Sequence, residues 1–235
     1  MKGLLVRVGI DSTDGNWNAP ARRSSGEFAF VTITENPERT ARPRLARLFD
    51  EFSSAVRPFG VEVPSSLLGL PTHLDPDFDH LTYGDRGSRG RRIEALGPGD
   101  FLAFFAGLRA IEKPGELIYA LIGIYIIDEK VPAHSVTSDR WRENAHTRRP
   151  PEPDEIVIRG RPTISGRLRR FIPIGEYRDR AYRVRRDLLE AWGDLDITDG
   201  YIQRSVRLPA FRDAPKFYKW FLAQEPQLTA ANNPL

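Results

Sequence analysis

Two apolar runs constrain the fold more than any other feature of this chain. Residues 101–108 and 117–127 are aliphatic, aromatic and β-branched almost without interruption, with Lys113-Pro114-Gly115 between them. A run that lacks the period of two expected of a half-exposed strand belongs to a strand covered on both faces, and the Pro-Gly pair marks a turn. The expectation is an antiparallel pair at the centre of a sheet. The longer run has 11 residues, well short of the roughly 20 that cross a bilayer as a helix.

Around this pair the patterning changes repeatedly. Residues 4–10 read as a strand that ends in the turn-forming cluster 11–20, and residues 27–34 alternate around Phe28, Phe30, Val31 and Ile33 as a second. Leu45, Leu48, Phe49, Phe52 and Val56 recur at helical spacing after Pro43, and Pro58-Phe59-Gly60 stops that helix. Residues 72–99 show no period and read as a long polar loop, a kind of segment that often carries function. A short helix is expected over 135–145, capped by Ser138 or Asp139. Short strands are expected at 156–158 and 171–174, helices at 183–192 and 215–222, and a frayed tail over 225–235. With no internal repeat and no composition break, residues 1–235 are expected to form one α+β domain. Its sheet is mixed, largely antiparallel and partly closed, with flanking helices.

Composition excludes several chemistries. Cysteine is absent, which removes disulfides, zinc-thiolate sites and a cysteine nucleophile together. With no signal-like segment, the expected location is cytoplasmic, with no membrane contact. No P-loop, GxGxxG after a strand, GxSxG or HExxH occurs, so no nucleotide, dinucleotide or metalloprotease motif points to a cofactor, and none is expected.

The net charge is only +3, yet its distribution is uneven. Between Arg140 and Arg186 there are 14 arginines, no lysine and six acids, leaving the rest of the chain net negative. GC-rich coding sequence also favours arginine over lysine. The clustering, however, suits a polyanion, because the guanidinium fork matches phosphate oxygens. DNA is therefore the expected partner.

Five segments hold convergent polar side chains. Asp11 ends the first strand, followed by Asn16, Trp17 and Asn18: a carboxylate, a stacking ring and two amides, or a turn whose Asp and Asn cap backbone groups. Residues 73–86 contain two histidines and four carboxylates. His73 and His80 are not at helical i, i+4 spacing and no EF-hand glycine is present, so no metal is expected there. Tyr83 and Asp85 from this segment are candidate pocket residues. Asn144 and His146 with Arg148 and Arg149 form a candidate base-and-phosphate set. Glu176, Tyr177, Arg178 and Arg180 interleave acid, ring and cation as a nucleic-acid groove does, or as a self-paired surface does. Residues 199–204 repeat this in miniature.

The chain resembles the third of the families labelled nucleotide modification associated domains. The resemblance rests on Arg7-Val8-Gly9-Ile10-Asp11 with Trp17-Asn18-Ala19-Pro20, on His73-Leu74-Asp75-Pro76 with Leu81-Thr82-Tyr83-Gly84-Asp85, and on Pro98-Gly99-Asp100-Phe101-Leu102. Glu143-Asn144-Ala145-His146 and Gly175-Glu176-Tyr177-Arg178-Asp179-Arg180-Ala181-Tyr182 complete it, over residues 2 to about 222. It implies a protein that makes, reads or removes hypermodified DNA bases. A weaker likeness, in residues 96–101 and 121–125, is to the strand pair of the PUA, ASCH and EVE superfamily, whose members hold modified bases in a small barrel.

The expected activity is that of a monofunctional DNA glycosylase. It would excise a bulky modified base, such as glucosylated hydroxymethylcytosine of phage DNA, as antiviral defence. Asp11 is the candidate carboxylate, with Asp85 and Glu176 in reserve. Asn16, Trp17, Asn18, Tyr83, Asn144, His146 and Tyr177 are candidate substrate contacts, and Arg148, Arg149, Arg178 and Arg180 candidate phosphate contacts. No lysine lies near these motifs, so an intact abasic site is the expected product. A reader without chemistry and a component of a hypermodification pathway remain the alternatives.

Overall fold

The computed structural model describes residues 1–12, 16–36, 38–39, 41–42, 44–203 and 208–234. In chain order β1 (Gly3–Arg7) precedes three short strands, β2 (Pro20–Arg22), β3 (Glu27–Phe28) and β4 (Ile33–Thr34), and then α1 (Ser53–Val56). Next come β5 (Thr72–His73), β6 (Thr82–Asp85), α2 (Gly87–Glu94) and the long strands β7 (Phe101–Ala110) and β8 (Leu117–Pro132). The remainder supplies α3 (Ala145–Arg148), β9 (Ile156–Gly160), β10 (Gly166–Pro173) and a hairpin of β11 (Gly175–Arg178) and β12 (Ala181–Val184). It ends with α4 (Arg186–Trp192), α5 (Ala214–Ala223) and β13 (Leu228–Thr229).

The two apolar runs are β7 and β8, antiparallel from Phe101 opposite Ile126 to Arg109 opposite Leu117. Strand β8 outlasts its partner. Its first part pairs with β10, and its last part, beyond a register shift at Ile127/Glu129, pairs with β9, which in turn holds β6. Strands β1 and β2 lie parallel to the start and end of β7. The sheet thus branches at both ends of its central pair. It is mixed, mostly antiparallel and curled into a half-barrel, with helices flanking it.

Side chains on β7 still alternate between faces, but both faces are covered. Leu102, Phe104 and Ala106 join Leu4 and Val6 in one apolar layer, while Phe101, Ala103 and Phe105 join Leu5 in the other. The second layer is closed by α4 and α5, where Trp192 and Phe217 pack against each other with ring centroids 5.1 Å apart, and Phe217 lies 5.3 Å from Phe101.

The structure corrects several local expectations. Residues 72–99 are not a loop, since they contain β5, β6 and α2. The strands are too short to show a period, and α2 buries only Gly90 and Ile93. Helical structure expected from Leu45 starts instead with a 3-10 turn at Phe49–Phe52 that runs into α1, and Gly60 ends the segment at φ 68°; Pro43 lies outside the described residues. The helix expected over 135–145 is divided into a 3-10 segment, Ser138–Glu143, and α3. The cap of α3 is Asn144, whose side chain accepts from the His146 N–H, and neither Ser138 nor Asp139 caps the 3-10 segment. The helix expected from 183 begins at Arg186 because Arg183 and Val184 complete β12.

The tail is ordered rather than frayed, tied down by hydrogen bonds that a polar sequence does not advertise. Thr229 and Leu228 pair with Arg167 and Leu168 of β10. Asn232 is buried; its Oδ1 accepts from the Phe78 N–H at 2.8 Å and its Nδ2 donates to Asp77 at 3.0 Å. Asn233 brackets the backbone of Phe30, both bonds at 2.8 Å. Replacing Asn232 by Ala strands a buried N–H and a carboxylate lone pair, so it should cost about 1–3 kcal/mol in denaturant unfolding. A frayed tail would give a variant that unfolds like the parent.

Candidate functional site

Where the ends of β1, β4, β5 and β6 approach α3, a cavity of about 770 Å³ opens, lined largely by charged and polar side chains. Each element arrives for a local reason. After β1 the chain turns off the sheet at Gly9, whose φ of +81° disfavours any side chain, and this delivers Asp11. The β4–β5 pair sets Ile33 opposite His73, with Glu35 just beyond. Strand β6 presents Tyr83, Gly84 and Asp85. Gly84 is required by close approach: a Cβ there would lie 2.4 Å from the His146 ring and 2.8 Å from the Asn144 oxygen.

The wall made by α3 and β5 is a chain of buried charge. His146 Nδ1 lies 3.2 Å from Glu155, and its Nε2 lies 3.6 Å from Asp75. Glu155 is held further by Arg149 at 2.7 Å and Arg39 at 2.9 Å. Asp75 accepts from the Gly84 N–H at 3.0 Å and from Asn144 Nδ2 at 2.9 Å. His73 Nδ1 lies 3.0 Å from Glu35, and the two imidazole rings meet edge-on at 4.9 Å. Burial opposes charge on His146, but Asp75 and Glu155 outweigh it and hold its pKa at about 9. Burial likewise opposes ionisation of Glu155, and the bonds from His146 and Arg149 reverse the balance, so its pKa falls below the ordinary carboxylate range. Among the described residues, His73, Asp75 and His146 form the group with metal-ligating spacing, their ligand atoms all within 4.8 Å of one another.

The cavity lining also holds two acid–arginine pairs. Asp11, buried, accepts from the Arg7 guanidinium, which lies 5.6 Å from the centre of the Tyr119 ring. Asp85 Oδ2 accepts from the Tyr83 hydroxyl at 2.6 Å and from Arg89 Nε at 2.7 Å, while its Oδ1 accepts from the Arg86 N–H at 2.9 Å. Burial first, and then the Asp85 and Asp75 carboxylates, hold the Tyr83 hydroxyl protonated well above its usual pKa, although Arg89 pulls the other way.

Of the residues singled out in the sequence, Asp11, Tyr83, Asp85, His146 and Arg149 share the cavity lining. The others are placed elsewhere. Trp17 is a buried member of the apolar core and offers no face for stacking. Asn18 donates to the Gly107 carbonyl of β7 at 2.8 Å, tying the turn to the central sheet, and Asn16 is exposed and does not line the cavity. Asn144 is fully buried and acts as a cap and as a support for Asp75.

Arg148 cannot clamp phosphates as expected, because it is 4% exposed and its guanidinium is bound to Asp77 and to the Arg142 carbonyl. Arg149, 3% exposed, is likewise committed to Glu155, and so serves the cavity wall rather than a DNA-facing surface. Glu176 and Arg178 pair with each other at 3.2 Å, and Arg178 also with Asp199 at 3.1 Å, outside the cavity lining. Tyr177 and Arg180 are exposed on the β11–β12 hairpin. Thr13, Asp14, Gly15 and Arg204, from two of the candidate segments, lie outside the described residues.

Glu35, Arg39, Asp75, Arg89 and Glu155 were not recognised as site residues from sequence. Asp75 had a local signal, as one of the four carboxylates of residues 73–86 and part of the His73-Leu74-Asp75-Pro76 string, and Arg89 lies four residues after Asp85, to which it is paired. The others converge through pairings between segments up to 120 positions apart, as in Glu35 with Glu155, which meet through Arg149.

The fold and site together define an α+β protein with a half-closed sheet that encloses a charged, carboxylate-bearing cavity at its strand ends. Residues 2–198 match the family described as nucleotide modification associated domain 3, and the chain belongs to that family. No curated protein and no solved structure matches it. Among the described residues no helix is long and apolar enough to cross a membrane.

Two substitutions separate structural from surface charge. Arg148→Met leaves Asp77 buried beside one fewer cation, and Glu155→Gln leaves Arg149 buried beside one fewer carboxylate. Each should cost about 3–5 kcal/mol in urea unfolding at neutral pH. If Arg148 were a surface phosphate contact, its loss would leave the unfolding midpoint unchanged.

Proposed function

We propose that the cavity receives one modified nucleotide of DNA, turned out of the helix, and hydrolyses its N-glycosidic bond to leave an abasic site. One observation carries the reading. A cavity of about 770 Å³ encloses Asp11, Asp75 and Asp85 together with several arginines, in a chain whose family is associated with nucleotide modification. That volume falls within the range of small-molecule pockets, roughly 300–1,000 Å³, and leaves room for a base with a polar adduct. Hydroxyl-rich adducts are well met by carboxylates and guanidiniums, which accept and donate in pairs.

Rupture of the bond builds positive charge on the sugar, which a nearby carboxylate stabilises while water attacks. Water adds across the bond, its hydroxyl going to the anomeric carbon and its proton to the departing base. Asp11 takes this role: it is buried in the cavity lining where the chain leaves β1, with the Arg7 guanidinium beside it, and Asp85 is the reserve. Glu176 is set aside because it lies outside the cavity lining.

Base flipping needs a ring to occupy the vacated stack and cations on the flanking phosphates. With Trp17 in the core, Tyr177 is the ring available for this. It is 65% exposed, and it packs on Tyr182 at 5.3 Å, which stacks on Tyr119 at 4.3 Å, next to Arg7 of the cavity wall. Arg180, exposed at the tip of the same hairpin, supplies positive charge to the backbone. A second reading, a reader without chemistry, is favoured by the dense pairing of Tyr83, Asp85 and Arg89, which suits a rigid recognition surface.

Incubation with DNA carrying glucosylated hydroxymethylcytosine and with plain DNA distinguishes the two. Excision gives alkali-labile breaks only at the modified positions, and Asp11→Asn lowers their rate about 10²–10⁴-fold while DNA binding persists. Retention of modified DNA by the unaltered protein without any breaks establishes the reader and overturns the glycosylase.

A further inference from the structure

The α3 wall of the cavity has a geometry that neither nucleotide binding nor Asp11 chemistry uses. His73, Asp75 and His146 come from β5, the turn after it and α3, and all three line the cavity. Their ligand-type atoms lie within 4.8 Å of one another. A metal bound at about 2.0–2.2 Å to nitrogen and oxygen sets its ligands about 3–4 Å apart, so modest side-chain rotations would close the site.

The side chains of this group are themselves held by neighbours. Each histidine has its Nδ1 engaged by a glutamate, Glu35 at 3.0 Å for His73 and Glu155 at 3.2 Å for His146. Such a carboxylate fixes the tautomer with the proton on Nδ1, leaving Nε2 as the ligating atom and raising its basicity. His146 Nε2 is the atom directed at Asp75. Asp75 is itself oriented by the Gly84 N–H and by Asn144, and the missing side chain at Gly84 lets His146 approach.

We propose that His73, Asp75 and His146 bind one divalent first-row transition-metal ion, with Glu35 and Glu155 as positioning residues. Two imidazoles and one carboxylate favour such an ion over Mg²⁺ or Ca²⁺, which take oxygen ligands, and three protein ligands leave open positions towards the cavity. This assignment is independent of the glycosidic reading, and its test has no activity readout.

The chelator-treated protein is titrated with Co²⁺, followed by its visible absorption, and with Zn²⁺ by calorimetry. The expected result is one ion per chain. His73→Ala and Asp75→Asn should each weaken binding at least 100-fold, and Glu35→Gln about 10–100-fold. His134→Ala, which removes a histidine outside the cavity lining, should leave it unchanged. Half-buried His73 and Glu35 are the decisive positions, since their variants are the least liable to misfold; thermal melts without metal verify that they fold. Absence of saturable binding overturns the proposal. So does an affinity that survives His73→Ala and Glu35→Gln, or one lost in His134→Ala, which would mark adventitious surface binding.

Discussion

The structure depends on a group of charges taken out of water at the ends of its strands. Glu155 and Arg149 are 1% and 3% exposed, and His146, 5% exposed, joins them to Asp75. Desolvating several ions in one place costs more than their mutual attraction returns unless each remaining lone pair and proton finds a partner. Here partners come from the Gly84 backbone, Asn144 and Arg39, while Arg149 Nε makes no hydrogen bond and lies 3.7 Å from Glu35. A hydrophobic replacement of similar volume would stabilise the fold at least as well. In the proposed reading, these charges are kept for the cavity they line.

The curled sheet makes that enclosure possible. Because β8 extends past β7 and passes from β10 to β9 across a register shift, β9 and β6 swing away from the central pair and carry Tyr83, Asp85 and Glu155 with them. The covered central pair supplies the rigid frame, and the short, poorly periodic segments around it supply the site. This division follows from what each part must do: a strand packed on both faces has few positions for polar groups, whereas strand ends and caps have many.

That division also sets what the sequence reveals. β7 and β8 are legible because two buried faces demand an unbroken apolar run, and α5 because its apolar spacing is regular. β5 and β6 are illegible because strands of two and four residues carry no period, and their pairing partners are remote. The tail was misread for a related reason: Asn232 and Asn233 are ordered by specific hydrogen bonds, not by apolar pattern. In the site, Asp11, Tyr83, Asp85 and His146 stand out as polar residues near strand ends and turns. The clustering of arginine was legible as well, but its meaning was not: Arg148, Arg149 and Arg167 face inward, each under 5% exposed. Composition reports charge along the chain and is silent on which side chains the fold turns inside. Trp17 is the same error in reverse, an apolar ring in a polar turn that the core claims.

The central claim is that the cavity, and not the outer surface, receives the modified nucleotide. The most direct measurement is a crystal structure of the Asp11→Asn protein with a DNA duplex that contains a single modified base. The predicted result is that base turned out of the helix and seated in the cavity beside Asp11, with Tyr177 in the gap it leaves. A duplex bound with the modified base still stacked, and the cavity empty of it, would contradict the account.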